Sequence, residues 1–148
     1  MPRFLSLAAI AAIATTVSMG VTALSFDPQS WPAFVVGNLL VAAIYGLIGV
    51  LAGAIFGQLG ATYFVLFLAM LGMGILQNPM FGDESPHGLA VLMPEYGAAR
   101  VVVDGAFGGG FSAWGAGAFA LVWVASLGFA VMLTLGRSLG LRRVSPPA

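Results

Sequence analysis

Residues 34–76 run FVVGNLLVAAIYGLIGVLAGAIF, then GQLG, then ATYFVLFLAMLGMGIL, and this stretch decides the fold. The first run, Phe34 to Phe56, would be roughly 34 Å long as a helix, enough to cross a bilayer. The second, from Ala61, is shorter. It must borrow residues at its ends, as far as Gln77, or thin the membrane locally. Between them Gly57-Gln58-Leu59-Gly60 leaves room only for a tight turn, so the two helices are expected to be antiparallel neighbours. Trp31 stands just before the first run, where an interfacial aromatic sits.

Outward from this stretch the pattern repeats. No Asp, Glu, Lys or Arg occurs from Pro28 to Gly82, from Phe4 to Phe26, or from Gly105 to Gly136. Charged residues are 7% of the 148 and hydrophobic ones 60%, against roughly 25% charged in soluble domains. A soluble chain of this size leaves much of its surface in water and has nowhere to hide so much apolar area; lipid removes the problem. The expectation is an all-α membrane protein forming one integral domain over residues 1–148. About four transmembrane helices are expected, over residues 4–24, 34–56, 61–77 and 114–135. A short outer helical hairpin, within residues 78–113, precedes the last span. The first run admits two readings, a retained span or a cleaved signal peptide. Its length suits a span, and Thr22-Ala23-Leu24-Ser25 is a mediocre cleavage site.

Arginine sets the expected orientation. There is no lysine, and the arginines are Arg3, Arg100, Arg137, Arg142 and Arg143. Four spans collect all but Arg100 on one side, which places both termini in the cytoplasm of a bacterial-type plasma membrane. All five acids, Asp27, Asp83, Glu84, Glu95 and Asp104, then fall outside. In the outer segment Ser85-Pro86 resembles a helix start. Pro94-Glu95 opens a second short helix that Asp104-Gly105 would close. Arg100 and Asp104 stand at i, i+4 on it, so an outer-loop ion pair is expected. Both pieces are too apolar for a free loop and too short to span. They are expected to lie at, or dip into, the outer membrane surface.

Candidate functional residues are few. Gly46, Gly49, Gly53 and Gly57 form a helix-packing face, either static or a mobile interface of a transporter. Asn38 is the strongest polar residue inside the second span. It is a candidate intramembrane contact, to a neighbouring helix or to a substrate. His87 has only Asp83 and Glu84 near it in sequence, which suits a solvated loop better than a metal or proton-relay site. No Gly-rich phosphate loop and no His-Glu-x-x-His motif occurs. No charged residue lies within a span, so no proton pathway is visible. No catalytic, cofactor-binding or metal-binding residue is therefore expected, and the chain is not expected to be an enzyme. With no cysteine and a net charge of zero, neither disulfides nor nucleic-acid binding is expected.

Taken in order, a small-residue span, a tight uncharged turn, a second span, an outer helical pair and a final span ending in arginines resemble the C-terminal part of type-2 ABC transporter permeases, the exporter family. The resemblance runs from about Trp31 to Arg143. Leu39–Gly57 looks like that family's fourth span, Ala61–Leu76 like its fifth and Trp114–Leu135 like its sixth; Phe4–Leu24 would be the third. Leu89–Phe107, with Leu92-Met93-Pro94-Glu95-Tyr96 and Arg100, looks like the re-entrant outer hairpin. The resemblance implies a permease subunit, whole or partial, with further permease helices and an ABC-type ATPase subunit as partners, and Gly57–Gly60 as a minor inner contact. The alternative is a small non-transporting membrane protein that stabilises or assembles another membrane complex.

Overall fold

The long apolar stretch forms a helix that doubles back on itself. The computed structural model describes residues 13, 15–22, 24–72, 88–110 and 112–142, with side chains as far as Gly136. Among them every regular element is helical. They are α1, helical over residues 15–22, α2 (Trp31–Ala69), α3 (Gly88–Val91), α4 (Tyr96–Phe107) and α5 (Trp114–Arg142). Residues 73–87 lie outside the described residues, and with them the helix start expected at Ser85-Pro86 and the side chains of Asp83, Glu84 and His87. So do residues 1–12, the first part of the run expected at 4–24.

α2 begins at Trp31, three residues ahead of the apolar run. Ser30 is extended at the N-cap, and Pro32 sits in the first turn, where a missing N–H costs no hydrogen bond. The Trp31 indole N–H donates to Asp27 Oδ1 at 3.1 Å. The helix is broken once, at Gly57, with φ 72 and ψ 178. That backbone region belongs almost solely to glycine. A Cβ built at Gly53 would stand 4.0 Å from the Ala61 Cβ, and one at Gly49 would stand 3.9 Å from Val65 Cγ2. Both pairs are symmetric about residue 57. In an unbroken helix Gly49 and Val65 would be roughly 24 Å apart. The turn therefore folds α2 into a first arm, 31–56, and an antiparallel return arm, 58–69, as the sequence led us to expect.

α4 covers the other half of the first arm. Gly105 meets Ala33 and Phe34, and Val101 and Val102 meet Gly37. Ala98 joins Ile44 and Ile48 in the core. α4 thus runs antiparallel to the first arm, its C-terminal end beside the start of α2 and its N-terminal end beside the middle. α5 returns along α4: Ser112 and Ala113 lie at Asp104, Gly117 at Val101, and Ala116 and Ala120 at Gly97. Ile44, Ile48, Ala98 and Ala120 make the buried centre, with Leu40, Val41, Val65, Leu68, Val124 and Leu127 packed round it. Small residues on α4 and α5 let three backbones approach there.

Two helix ends differ from expectation. α4 runs to Phe107 instead of closing at Asp104-Gly105. The reason is a tertiary cap: Ser30 N–H donates to the Gly105 carbonyl at 2.8 Å and Gln29 N–H to the Ala106 carbonyl at 3.2 Å. These are carbonyls that a helix end leaves without partners. α5 continues past Leu135 to Arg142.

Candidate functional site

α4 carries one acid near each end, and the surroundings of the two differ completely. At the C-terminal end, Asp104 Oδ2 accepts from the Ser112 N–H at 2.7 Å and the Ala113 N–H at 3.0 Å, while Oδ1 accepts from the Ser112 hydroxyl at 3.1 Å. Those N–H groups immediately precede α5, so Asp104 occupies the positive end of that helix from a neighbouring one. The Ser112 N–H, followed by the Ala113 N–H and the Ser112 hydroxyl, holds the Asp104 carboxyl below the usual carboxylate range. Arg100 adds only the last of these contributions, through its charge. The nearest partners of Asp104 are therefore the N–H groups at the start of α5, with the Arg100 charge adding to them.

At the N-terminal end, Glu95 is the N-cap residue of α4, with φ −79 and ψ −16 and no capping bond from its side chain. Its carbonyl accepts from the Ala99 N–H at 2.8 Å. The side chain is 0% exposed, and neither carboxyl oxygen has a hydrogen-bond partner. It lies on Gly72, just beyond the return arm. A Cβ there would overlap Oε1 and come within 2.8 Å of Cδ. The Tyr45 hydroxyl, on the first arm, is also buried without a partner, and it lies within range of the Glu95 charge. Burial pushes the Glu95 carboxyl up, its own backbone N–H opposing more weakly. The physical cause is desolvation, which penalises the ionised form by far more than the neutral one.

Glu95 thus lies among packed helices and away from water. It stands at the start of a short helix as expected, and that helix runs along the first arm of α2. Tyr45 stands fourteen residues past Trp31, roughly 21 Å along α2, and roughly 18 Å before the turn at Gly57. Glu95 therefore sits near the midpoint of the first arm. The one hint in the sequence is Leu92-Met93-Pro94-Glu95-Tyr96, an acid in almost wholly apolar company.

The remaining candidates fall as follows. Gly49 and Gly53 face the return arm at ordinary contact distance, Gly46 has nothing within 4 Å, and Gly57 makes the turn. The closest approaches lie elsewhere. A Cβ at Gly37 would be 2.7 Å from Val102 Cγ2, and one at Gly105 would be 2.5 Å from Phe34 N. Asn38 donates from Nδ2 to the Phe34 carbonyl at 2.8 Å, on its own helix. Arg100 is exposed. It lines a groove of about 660 Å³ between α4 and α5, with Tyr96, Asp104, Phe107 and Phe119 among the other walls. A second, almost wholly apolar groove of about 560 Å³ separates α2 from α5, lined by Val36, Leu40, Trp114 and Leu121 among others. Among the described residues no three His, Cys, Asp or Glu side chains come together as metal ligands.

Two helical stretches, Trp31–Gly72 and Trp114–Gly136, are long and apolar enough to cross a membrane. Comparison with protein-family models, with curated proteins and with solved structures finds no match.

Proposed function

We propose that this chain is a membrane-spanning permease subunit of an ABC-type exporter, whole or partial, moving its substrate with energy from a separate ATPase. The observation that carries the reading is the course of α4. This helix of 12 residues is only about 18 Å long. It runs beside the first arm of α2 from the middle to the outer end, between that arm and α5. A re-entrant helix ahead of the last span is what the resemblance to type-2 ABC permeases implies. The tight turn at Gly57 supplies the other half of that layout, two antiparallel helices joined at the inner face.

Membrane placement is supported by exposure as well as by length. In the most apolar part of the two long stretches only 17% and 6% of residues are buried, the reverse of a soluble core helix. Side chains such as Leu39, Ile55, Leu66, Val122 and Met132 face outward. Four spans then comprise the first apolar run, the two arms of α2, and α5. The hairpin turn and the basic C-terminal end share the cytoplasmic side, and the loop from Gly108 to Ala113 lies outside. The chain itself contributes helices and no nucleotide chemistry.

The test is purification from its native membrane followed by reconstitution. The subunit reading expects co-purification with an ATPase and further permease helices. It expects neither transport nor ATP hydrolysis from the pure chain in liposomes. Robust efflux by the pure chain would overturn it. Co-purification with a membrane complex that has no ATPase would favour the assembly-helper alternative instead.

A further inference from the structure

We propose that Glu95 is a proton-binding site that latches the tip of α4 to the end of the return arm, seated when protonated and released when ionised. The inference rests on packing within the chain and does not depend on the exporter reading.

The geometry selects the ligand. A buried carboxylate needs a counter-charge or hydrogen-bond donors, and both Glu95 oxygens lack them. A metal ion or a substrate ammonium would supply charge but needs space. The side chain is fully buried, and its oxygen lies so close to Gly72 that even a methyl group there would overlap it. A proton requires no added volume and removes the charge. Among the described residues, the ionisable groups facing Glu95 give no other compensation. From the first arm there is Tyr45, whose hydroxyl has no partner. The return arm offers only Tyr63, well back toward the turn, and α3 offers none. On α4, Tyr96 adjoins Glu95. Arg100 is exposed in the outer groove, and Asp104 is committed to the start of α5. α5 has no ionisable side chain from Trp114 to Gly136.

Ionisation has a mechanical consequence because the contact joins two helix ends. Glu95 is held between the first residue of α4 and Gly72, and no main-chain hydrogen bond is seen across that junction among the described residues. The opposite end of α4 is tied down by Asp104 and by the Ser30 and Gln29 N–H groups. A charge on Glu95 therefore displaces the inner tip while the outer end stays anchored. Hydration of the carboxylate by water entering between the tip and the return arm is the compensating gain. The sign follows from the raised folded value. Stability is complete below the ordinary carboxylate range and falls as pH rises through that value.

The test exploits two features of the chain. It has only two glutamates, Glu84 and Glu95, and no cysteine. In Glu84→Gln protein carrying carboxyl-labelled glutamate, the single labelled group is Glu95. Its infrared band should be that of a protonated carboxyl at neutral pH in lipid nanodiscs. Glu95→Gln should be at least as stable as the parent. It should also remove a fall in melting temperature of at least about 3 °C between about pH 5 and about pH 9. A reporter cysteine, Ala69→Cys, should react several-fold faster with a thiol reagent at the alkaline end than the same cysteine in the Glu95→Gln background, a ratio that cancels the titration of the thiol. An ionised labelled carboxyl at neutral pH overturns the proton site. A protonated band with identical labelling in both backgrounds overturns the latch.

Discussion

The first arm of α2 is packed by two partners of the same size and different character. Its inner half meets the return arm across Gly49 and Gly53, where an added methyl group would find ordinary contact distances. Its outer half meets α4 across Gly37 and Gly105, where an added methyl would run into backbone nitrogen. The regular Gly46-Gly49-Gly53-Gly57 series marks the looser contact, and the irregular glycines mark the tighter one. A glycine repeat on a helix records that small residues are present. How closely another backbone approaches depends on where the partner's own small residues fall. The return arm offers Ala61 and the branched Val65 at the crossing, while α4 turns its own backbone toward the arm at Gly105 and Val102.

The sharpest way to break this comparison is Gly105→Leu. The new side chain would have to enter the backbone of Ala33 and Phe34, and the cost should be about 3 kcal/mol or more. Loss of the Gly105–Ser30 hydrogen bond would follow. A detergent melting experiment should find this variant unfolded or severely destabilised. Tolerance of leucine there would mean that α4 does not pack on the first arm. Gly37→Ala probes the same contact with one methyl group. Its Cβ meets the Val102 N–H region at 2.8 Å, and a loss of about 1–3 kcal/mol is expected for overpacking that the backbone cannot relieve.

Asp104 supplies the next effect in size and its own pH signature. Its folded value is depressed, so its contribution is present above the ordinary carboxylate range and lost as pH falls through the folded value. Asp104→Asn keeps the shape and removes the charge. It should flatten the acid side of the stability profile, whereas Glu95→Gln should flatten the alkaline side. Measuring both against pH sharpens the contrast between the anchored and the free end of α4. An unchanged acid limb in Asp104→Asn would show that the cap on α5 contributes nothing through charge.

The smallest effect has the opposite sign. Gly53→Ala meets nothing closer than 4.0 Å and gains helix propensity, so it should be neutral or stabilising by up to about 1 kcal/mol. Destabilisation comparable to that of Gly37→Ala would erase the distinction between the two halves. Gly53→Leu should be costlier than Gly53→Ala, since the longer side chain must displace the return arm.

Much of the architecture is legible from local pattern. The long charge-free apolar runs within Pro28–Gly82 and Gly105–Gly136 favour helices, because a helix satisfies its backbone groups within one segment and without water. Gly57 at the break between two apolar runs determines the reversal, since the required φ is one that other residues resist. A helix start close to Pro94 is legible from the fixed φ of proline, although α4 begins at Tyr96 and the Glu95 side chain makes no capping bond. Tertiary structure alone decided three things. The end of α4 lies at Phe107 because N–H groups from residues 29 and 30 reach its last carbonyls. Asp104 caps the start of α5 because the loop brings Ser112 and Ala113 to it. Glu95 is buried on Gly72, within range of Tyr45, because α4 runs along α2 instead of lying across its end. Local sequence sets backbone conformation and amphipathic character within a few residues. The surroundings of a charge depend on other chain segments, eight residues away for Asp104 and as many as fifty for Glu95, and their arrival is settled only when the helices pack.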